Sequence, residues 1–231
     1  MNGLIQVEST LIGTKEDIEK IEKKSSANLL VVSDSHGNAE IIRQIVEEFG
    51  SKADALVFCG DGFADIMSVI QESFFNEKLR AFLPPVIVCA RGNGDSGFVT
   101  IPVDDEISKK MGAYKEYKVK TEVKFEVAGR IVLAVHGNRQ NVDFGLDNLC
   151  NLAYSEDADL VFYGHTHLHA REDIDGTLFL NPGSCTRPRG GQPPSFAIIS
   201  FPGENERYDA DFFCVGKTIF GNYEFIPLGI Q

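Results

Sequence analysis

The stretch "LLVVSDSHGN", residues 29–38, runs four apolar residues straight into an aspartate, a histidine and a glycine. A short, unbroken apolar run is the pattern of a strand covered on both faces. Polar residues just past the carboxyl end of such a strand lie where open α/β sheets bind ligands. The pattern recurs at 55–59, 86–90, 131–135 and 159–163, and a further run at 196–200 lacks the polar ending. Between the early runs, Ile41, Ile42, Ile45, Val46 and Phe49 form one helical stripe that stops at Gly50. Phe63, Ile66, Met67, Ile70 and Phe74 form a second. Strand, helix, strand, helix implies right-handed parallel crossovers. Later, "EYKVKTEVKFEVAGRIVLAV" (116–135) alternates charged and apolar residues as one half-exposed strand, then turns at Ala128-Gly129-Arg130 into a hairpin. The sheets are therefore expected to be mixed, parallel early and antiparallel late.

The totals set outer bounds. At 231 residues the chain has length for one large α/β domain. Its formal charge of −12 and pI near 4.9 would repel the backbone of a long nucleic acid. A small phosphorylated substrate stays open, because a bound metal ion dominates its local field. Residues 1–28 mix acids and bases without an apolar core for a secretory signal, and no run is long enough to span a membrane, so the expectation is a cytoplasmic protein that does not engage membranes. Cys59, Cys89, Cys150, Cys185 and Cys214 are odd in number and widely spaced, which reads as buried reduced thiols.

Three segments are expected. Residues 1–28 form an N-terminal extension with a short surface helix capped by Thr14, and 29–206 form the main domain. Residues 207–231 form an apolar C-terminal extension, packed on the domain or on a partner subunit of a homo-oligomer.

The strand ends carry the chemistry. They read "SDSHGN" (33–38), "CGDG" (59–62), "RGNGD" (91–95), "VHGN" (135–138) and "YGHTH" (163–167). Singly, Asp61 between glycines or Asn93-Gly94 is an ordinary turn. Together they hold four of the five histidines, and the fifth, His169, follows two residues on. Imidazole with carboxylate and amide oxygen suits Mn²⁺, Fe²⁺, Ni²⁺ or Zn²⁺. Asp34 and His36, like His165 and His167, stand at i and i+2, and on extended backbone each pair would point the same way. The donors Asp34, His36, Asp61, Asn93, His136, His165 and His167 are too many for one ion and suit two, the arrangement that clamps an in-line displacement at phosphorus.

These five motifs, in this order, resemble those of the calcineurin-like metallophosphoesterase superfamily, and within it the small YfcE-like phosphodiesterase branch. The resemblance covers about residues 29–201. It implies a four-layer α-β-β-α sandwich of two mixed sheets with two divalent ions at the sheet ends, Mn²⁺ first among them and Ni²⁺, Fe²⁺ or Zn²⁺ as alternatives. By motif, Asp34, His36, Asp61 and His167 would hold one ion and Asp61, Asn93, His136 and His165 the other, with Asp61 bridging. The implied activity is hydrolysis of small phosphodiesters by a metal-bridging hydroxide held through Asp61, Asn93 and His136. The alternatives are a phosphomonoesterase or dinucleoside polyphosphate hydrolase, and a non-catalytic scaffold of the kind formed by a retromer subunit.

The chain departs from the family at two positions. Gly94 stands where many members have a proton-donating histidine and the YfcE-like branch a cysteine, which favours esters with acidic leaving groups. His169 is either a substitute donor or a solvated loop histidine. Asn138 stands where the branch often has another histidine and can still donate to a phosphate oxygen. Arg187 and Arg189 in "NPGSCTRPRGG" (181–191) are either phosphate ligands or partners of surface acids, and Asp95 is either an orienting carboxylate or a turn residue.

Overall fold

The computed structural model describes residues 2–8, 10–102, 112–201 and 208–229. Its strands are β1 Gln6–Val7, β2 Leu11–Ile12, β3 Ala27–Val32, β4 Ala55–Phe58, β5 Val86–Cys89, β6 Phe98–Pro102, β7 Tyr114–Lys118, β8 Glu122–Val127, β9 Arg130–Val135, β10 Leu160–Phe162, β11 His169–Ile174, β12 Thr177–Pro182, β13 Ser195–Phe201, β14 Asp209–Lys217 and β15 Tyr223–Leu228. The helices are α1 Lys15–Glu22, α2 Ala39–Phe49, α3 Phe63–Ser73, α4 Glu77–Phe82 and α5 Asp147–Ser155.

One sheet has the order β1-β2-β5-β4-β3-β13-β14-β15 and the other β11-β12-β10-β9-β8, while β6 and β7 form a separate ribbon. Strand alternation sorts the apolar side chains into layers. On β3, Leu30 and Val32 pack with Ile41, Ile45, Ile66 and Ile70 of α2 and α3. Leu29 and Val31 face the other way, onto Val132, Ala134, Leu160 and Leu180 of the second sheet. Beyond that sheet, Leu133, Val135, Val161 and Phe179 pack on Leu149 and Ala153 of α5. The result is helix, sheet, sheet, helix. Leu29, Leu30, Val31 and Val32 are fully buried, and each such side chain contributes roughly 1.5–3 kcal/mol of transfer free energy. That burial anchors the backbone entering the Asp34 loop.

β3–β4 and β4–β5 are parallel, as the crossover pattern predicts. Parallel pairing also recurs late, between β9 and β10 and between β10 and β12. The single strand expected before the hairpin is two. β7 pairs with β6, β8 pairs with β9, and Lys120 between them bridges Ala90. Alternation reports which face a residue occupies and says nothing of the neighbouring strand, so it runs unbroken through the change of partner. The hairpin turn is Ala128-Gly129, both with φ near +50° to +70°, and Arg130 already belongs to β9.

Residues preceding β3 supply β1 and β2, with β2 antiparallel to β5, as well as the helix α1, where Thr14 Oγ1 accepts the Asp17 N–H. At the other end, β14 and β15 extend the first sheet. Phe213 and Phe225 meet Phe49 of α2 with ring centroids 5.0 and 5.5 Å apart. Cys59, Cys89 and Cys185 are buried, but Cys150 on α5 and Cys214 on β14 are only half-buried.

Candidate metal centre

The five motifs converge where β3, β4, β5, β9 and β10 end. The backbone there is not extended. Asp34, His36, Asp61, His165 and His167 all have positive φ, between 47° and 68°. A non-glycine residue in this region costs of order 1–3 kcal/mol and is held by its surroundings. Here hydrogen bonds hold it. The Asp34 N–H donates to Gly60 O and the His36 N–H to Asp61 O, each at 3.0 Å. Ser184 Oγ and Thr186 Oγ1 donate to the Asp34 carbonyl at 2.7 and 3.0 Å. From α3, buried Asp65 accepts from Ser35 Oγ at 2.5 Å and from the Gly37 N–H at 2.9 Å.

The turns replace the expected extended backbone, and of the two i, i+2 pairs Asp34 and His36 still point one way, His36 Nε2 lying 3.7 Å from Asp34 Oδ1, whereas His165 and His167 diverge. His167 Nε2 lies 3.0 Å from His36 Nε2. His165 instead sets its ring edge-on to His136, with centroids 5.1 Å apart.

Two groups of donor atoms result: Asp34 with His36 and His167, and Asp34 with Asp61 and His136, the atoms in each lying within 4.8 Å of one another. Asp34 is the carboxylate common to both. Its Oδ2 accepts from Ser33 Oγ at 2.6 Å and the His165 N–H at 3.2 Å. Its Oδ1 is buried and has no hydrogen-bond partner. His167 Nε2 lies 3.3 Å and His36 Nε2 3.7 Å from Oδ1. His167 Nδ1 donates to the Arg187 carbonyl at 2.5 Å, which leaves the Nε2 lone pair facing the group. His136 does the same, its Nδ1 donating to Cys59 O at 2.8 Å while Nε2 faces Asn93 Oδ1 at 3.2 Å and Asp61 Oδ1 at 3.6 Å.

Lone pairs turned toward one another around an orphaned carboxylate oxygen repel unless a cation lies among them. Ligands at about 2.0–2.1 Å from one ion stand roughly 3.0–3.4 Å apart, and the separations here run from 3.0 Å within that range to 3.7 Å just beyond it. The residues fit a divalent metal. In the metal-free chain the Asp34 carboxylate, 3.3 Å from Nε2, raises the His167 pKa above its ordinary value, while burial lowers that of His36.

Glycines allow the close approach. A Cβ at Gly92 would stand 2.1 Å from Asp61 Oδ1, and one at Gly164 would stand 2.7 Å from Asp34 Oδ2. Gly94 donates its N–H to Asp61 Oδ1 at 2.7 Å.

Other residues singled out by sequence lie around the cluster. Asn138 is half-buried and opens the turn after His136. Arg187 and Arg189 are exposed, and their charges act on His36 and His167 respectively. Arg187 Nη2 also donates to the His36 carbonyl at 3.4 Å. His169 is not brought into the cluster. It starts β11, with its ring on Phe212 at 5.6 Å and its Nδ1 3.4 Å from Ser195 Oγ. The structure resolves Asp95 as a turn carboxylate, which accepts the N–H groups of Asp61, Gly62, Phe63 and Gly92 at 2.8–2.9 Å. It thereby ties the Asp61 loop to the Asn93 loop. Sequence reasoning missed Asp65, Ser184, Thr186 and Asp143, the last 2.9 Å from His165 Nε2. Asp65 and Asp143 sit in no motif, and Ser184 and Thr186 lie in the 181–191 stretch that the sequence marks by its arginines; only folding brings the four to the site.

Residues 28–204 match the calcineurin-like phosphoesterase superfamily domain, and the chain belongs to that superfamily. It is 27% identical over 186 residues to the probable metallophosphoesterase YsnB of Bacillus subtilis, covering 80% of this chain and 90% of that one. It is 29% identical over 176 residues to the phosphodiesterase YfcE of Escherichia coli, covering 74% and 86%. Its fold is shared with vacuolar protein sorting 29 from Cryptosporidium parvum at a TM-score of 0.59 and 18% identity, covering 89% and 98% of the two chains.

Proposed function

We propose that this protein is a cytoplasmic phosphodiesterase that hydrolyses small phosphodiesters with two divalent ions, Mn²⁺ the preferred activator. The observation that carries the reading is the buried, unpartnered Asp34 Oδ1 facing histidine lone pairs at the sheet ends of a calcineurin-like chain. Asp34, His36, Asp61 and His167 would hold one ion and Asp61, Asn93, His136 and His165 the other, Asp61 shared by both, and Asp34 stands beside both sets because it belongs to both groups of converging donors. When bound, such ions activate water for attack at phosphorus and polarise the phosphoryl oxygens. The chain's own residues do the rest. His136 and His167 are fixed in one tautomer by the Cys59 and Arg187 carbonyls. Asn138, Arg187 and Arg189 provide donors for the phosphate oxygens around the rim. No side chain at Gly94 delivers a proton to the leaving group, so esters of acidic alcohols react best. At a net charge of −12 the chain selects small anions drawn to the metals over long nucleic acids.

The test is direct. Mn²⁺-loaded protein should hydrolyse an aryl phosphodiester, and Asp61→Ala should abolish turnover. Wild-type protein that retains less than one ion per chain and releases no product from any phosphodiester or monoester would sink the hydrolase reading and favour a scaffold.

A further inference from the structure

We propose that Asp143 is a positioning residue that locks His165 as the Nε2–H tautomer and so presents Nδ1, rather than Nε2, to the metal held with Asp61 and His136. The inference rests on the metal-dependent reading above. Among the histidines of the cluster, His136 and His167 each spend Nδ1 on a backbone carbonyl and turn Nε2 inward. His165 is the reverse. Its Nε2 meets Asp143 Oδ2 at 2.9 Å, and a carboxylate oxygen at that distance accepts a hydrogen bond from an imidazole N–H, which places the proton on Nε2. The nitrogen left with a lone pair is Nδ1, the one nearer the main chain. That main chain is at the cluster, because the His165 N–H lies 3.2 Å from Asp34 Oδ2 and the ring meets His136 edge-on.

The segment carrying Asp143 is built to hold it there. It follows His136 directly and folds into two successive 3₁₀ turns, 138–140 and 142–144, joined by Asn141 at φ 54°. Val142 is buried against Gly137, where an added Cβ would stand 2.8 Å from its Cγ2, and the Val142 N–H donates to Gly137 O at 3.3 Å. The segment leaving β9 through His136 thus reaches across to orient the histidine leaving β10. A plain surface ion pair would need no such turn. The half-exposed carboxylate on Nε2 has the arrangement by which carboxylates fix metal-binding imidazoles, and it leaves Nδ1, on the main-chain side of the ring, as the free donor.

Two measurements on the full chain test this. Long-range ¹⁵N–¹H imidazole spectra of the metal-free protein should show His165 protonated at Nε2. Asp143→Ala should lose that preference and Asp143→Asn, which keeps an acceptor, should retain it. Calorimetric titration with Mn²⁺ alone should show Asp143→Ala weakening one of two equivalents about 10- to 100-fold, with the other unchanged and Asp143→Asn restoring most of the affinity. A wild-type His165 protonated at Nδ1 overturns the proposal. So does Asp143→Ala protein that binds both equivalents like wild type, and in that case the metal reading stands. Wild-type protein that binds no Mn²⁺ overturns both.

Discussion

The two donor groups meet at Asp34 yet are built differently. In the first, Asp34 Oδ1, His36 Nε2 and His167 Nε2 face one another with little between them, and the carboxylate oxygen has no hydrogen-bond partner. In the second, the protein braces most of the residues from outside the group. Asp61 Oδ1 accepts the Gly94 N–H, His136 Nδ1 donates to the Cys59 carbonyl, and His165 Nε2 is held by Asp143. Leaving a buried charged acceptor unpaired costs more than the roughly 1–3 kcal/mol of a neutral one. The first group is therefore the more frustrated without a cation and gains the more when one binds. The second is preorganised by backbone amides and a neighbouring carboxylate, so its geometry depends less on the ion.

Removing the shared carboxylate breaks this comparison at its centre and should have the largest effect. Asp34→Ala is expected to lose both ions and, because a metal's charge stabilisation is worth several kcal/mol, to lower turnover of an aryl phosphodiester by about a thousandfold or more. Retention of one tight Mn²⁺ equivalent in calorimetry would show that the second group stands without Asp34.

A gain of function comes next. A Cβ at Gly94 would stand 3.2 Å from Asp61 Oδ1, tight but against a side chain, and no positive φ opposes it. Gly94→His places a proton donor beside the second group. Turnover of an alkyl diester should rise by about 10²-fold, with little change for an aryl diester. Equal effects on both substrates would mean that leaving-group protonation does not limit the reaction.

The smallest effect is a pH dependence confined to the first group in metal-free protein. Asp34 raises the folded pKa of His167 above its unfolded value, which is about 6.5. A raised histidine pKa contributes stability that is fully present below the unfolded value and lost as pH rises through the folded one. The melting-temperature gap between wild type and His167→Gln should therefore narrow as pH rises from below 6.5 through the folded value. A gap that stays constant would mean that His167 is no more basic in the folded chain than in the unfolded one.

Much of the fold was legible because burial leaves a local signature. The runs at 29–32 and 55–59 read as two-sided strands, and the stripes from Ile41 and Phe63 gave α2 and α3 nearly to their ends. The split between β7 and β8 was illegible because alternation is the same whichever strand lies alongside. The site followed the same division. Asp34, His36, Asp61, Asn93, His136, His165 and His167 were all named from their places after apolar runs. Extended backbone, the expected basis for Asp34 with His36 and His165 with His167 pointing one way, is absent, and only the first pair converges. His169 continues the sequence alternation yet belongs to β11, its ring tilted against Phe212.

The sequence by itself determined which side chains were available as ligands and that they sit at strand ends, because residue type and apolar periodicity are local properties. Tertiary structure alone decided that Asp34 would be shared, that His165 and His167 would diverge, and that Asp143, Asp65 and Asp95 would hold the loops. Those outcomes depend on left-handed turns stabilised by hydrogen bonds between segments distant in the chain. The same holds for "LLVVSDSHGN": its apolar half specifies a strand unaided, while the orientation of its aspartate and histidine is fixed by Gly60, Asp61, Asp65, Ser184 and Thr186.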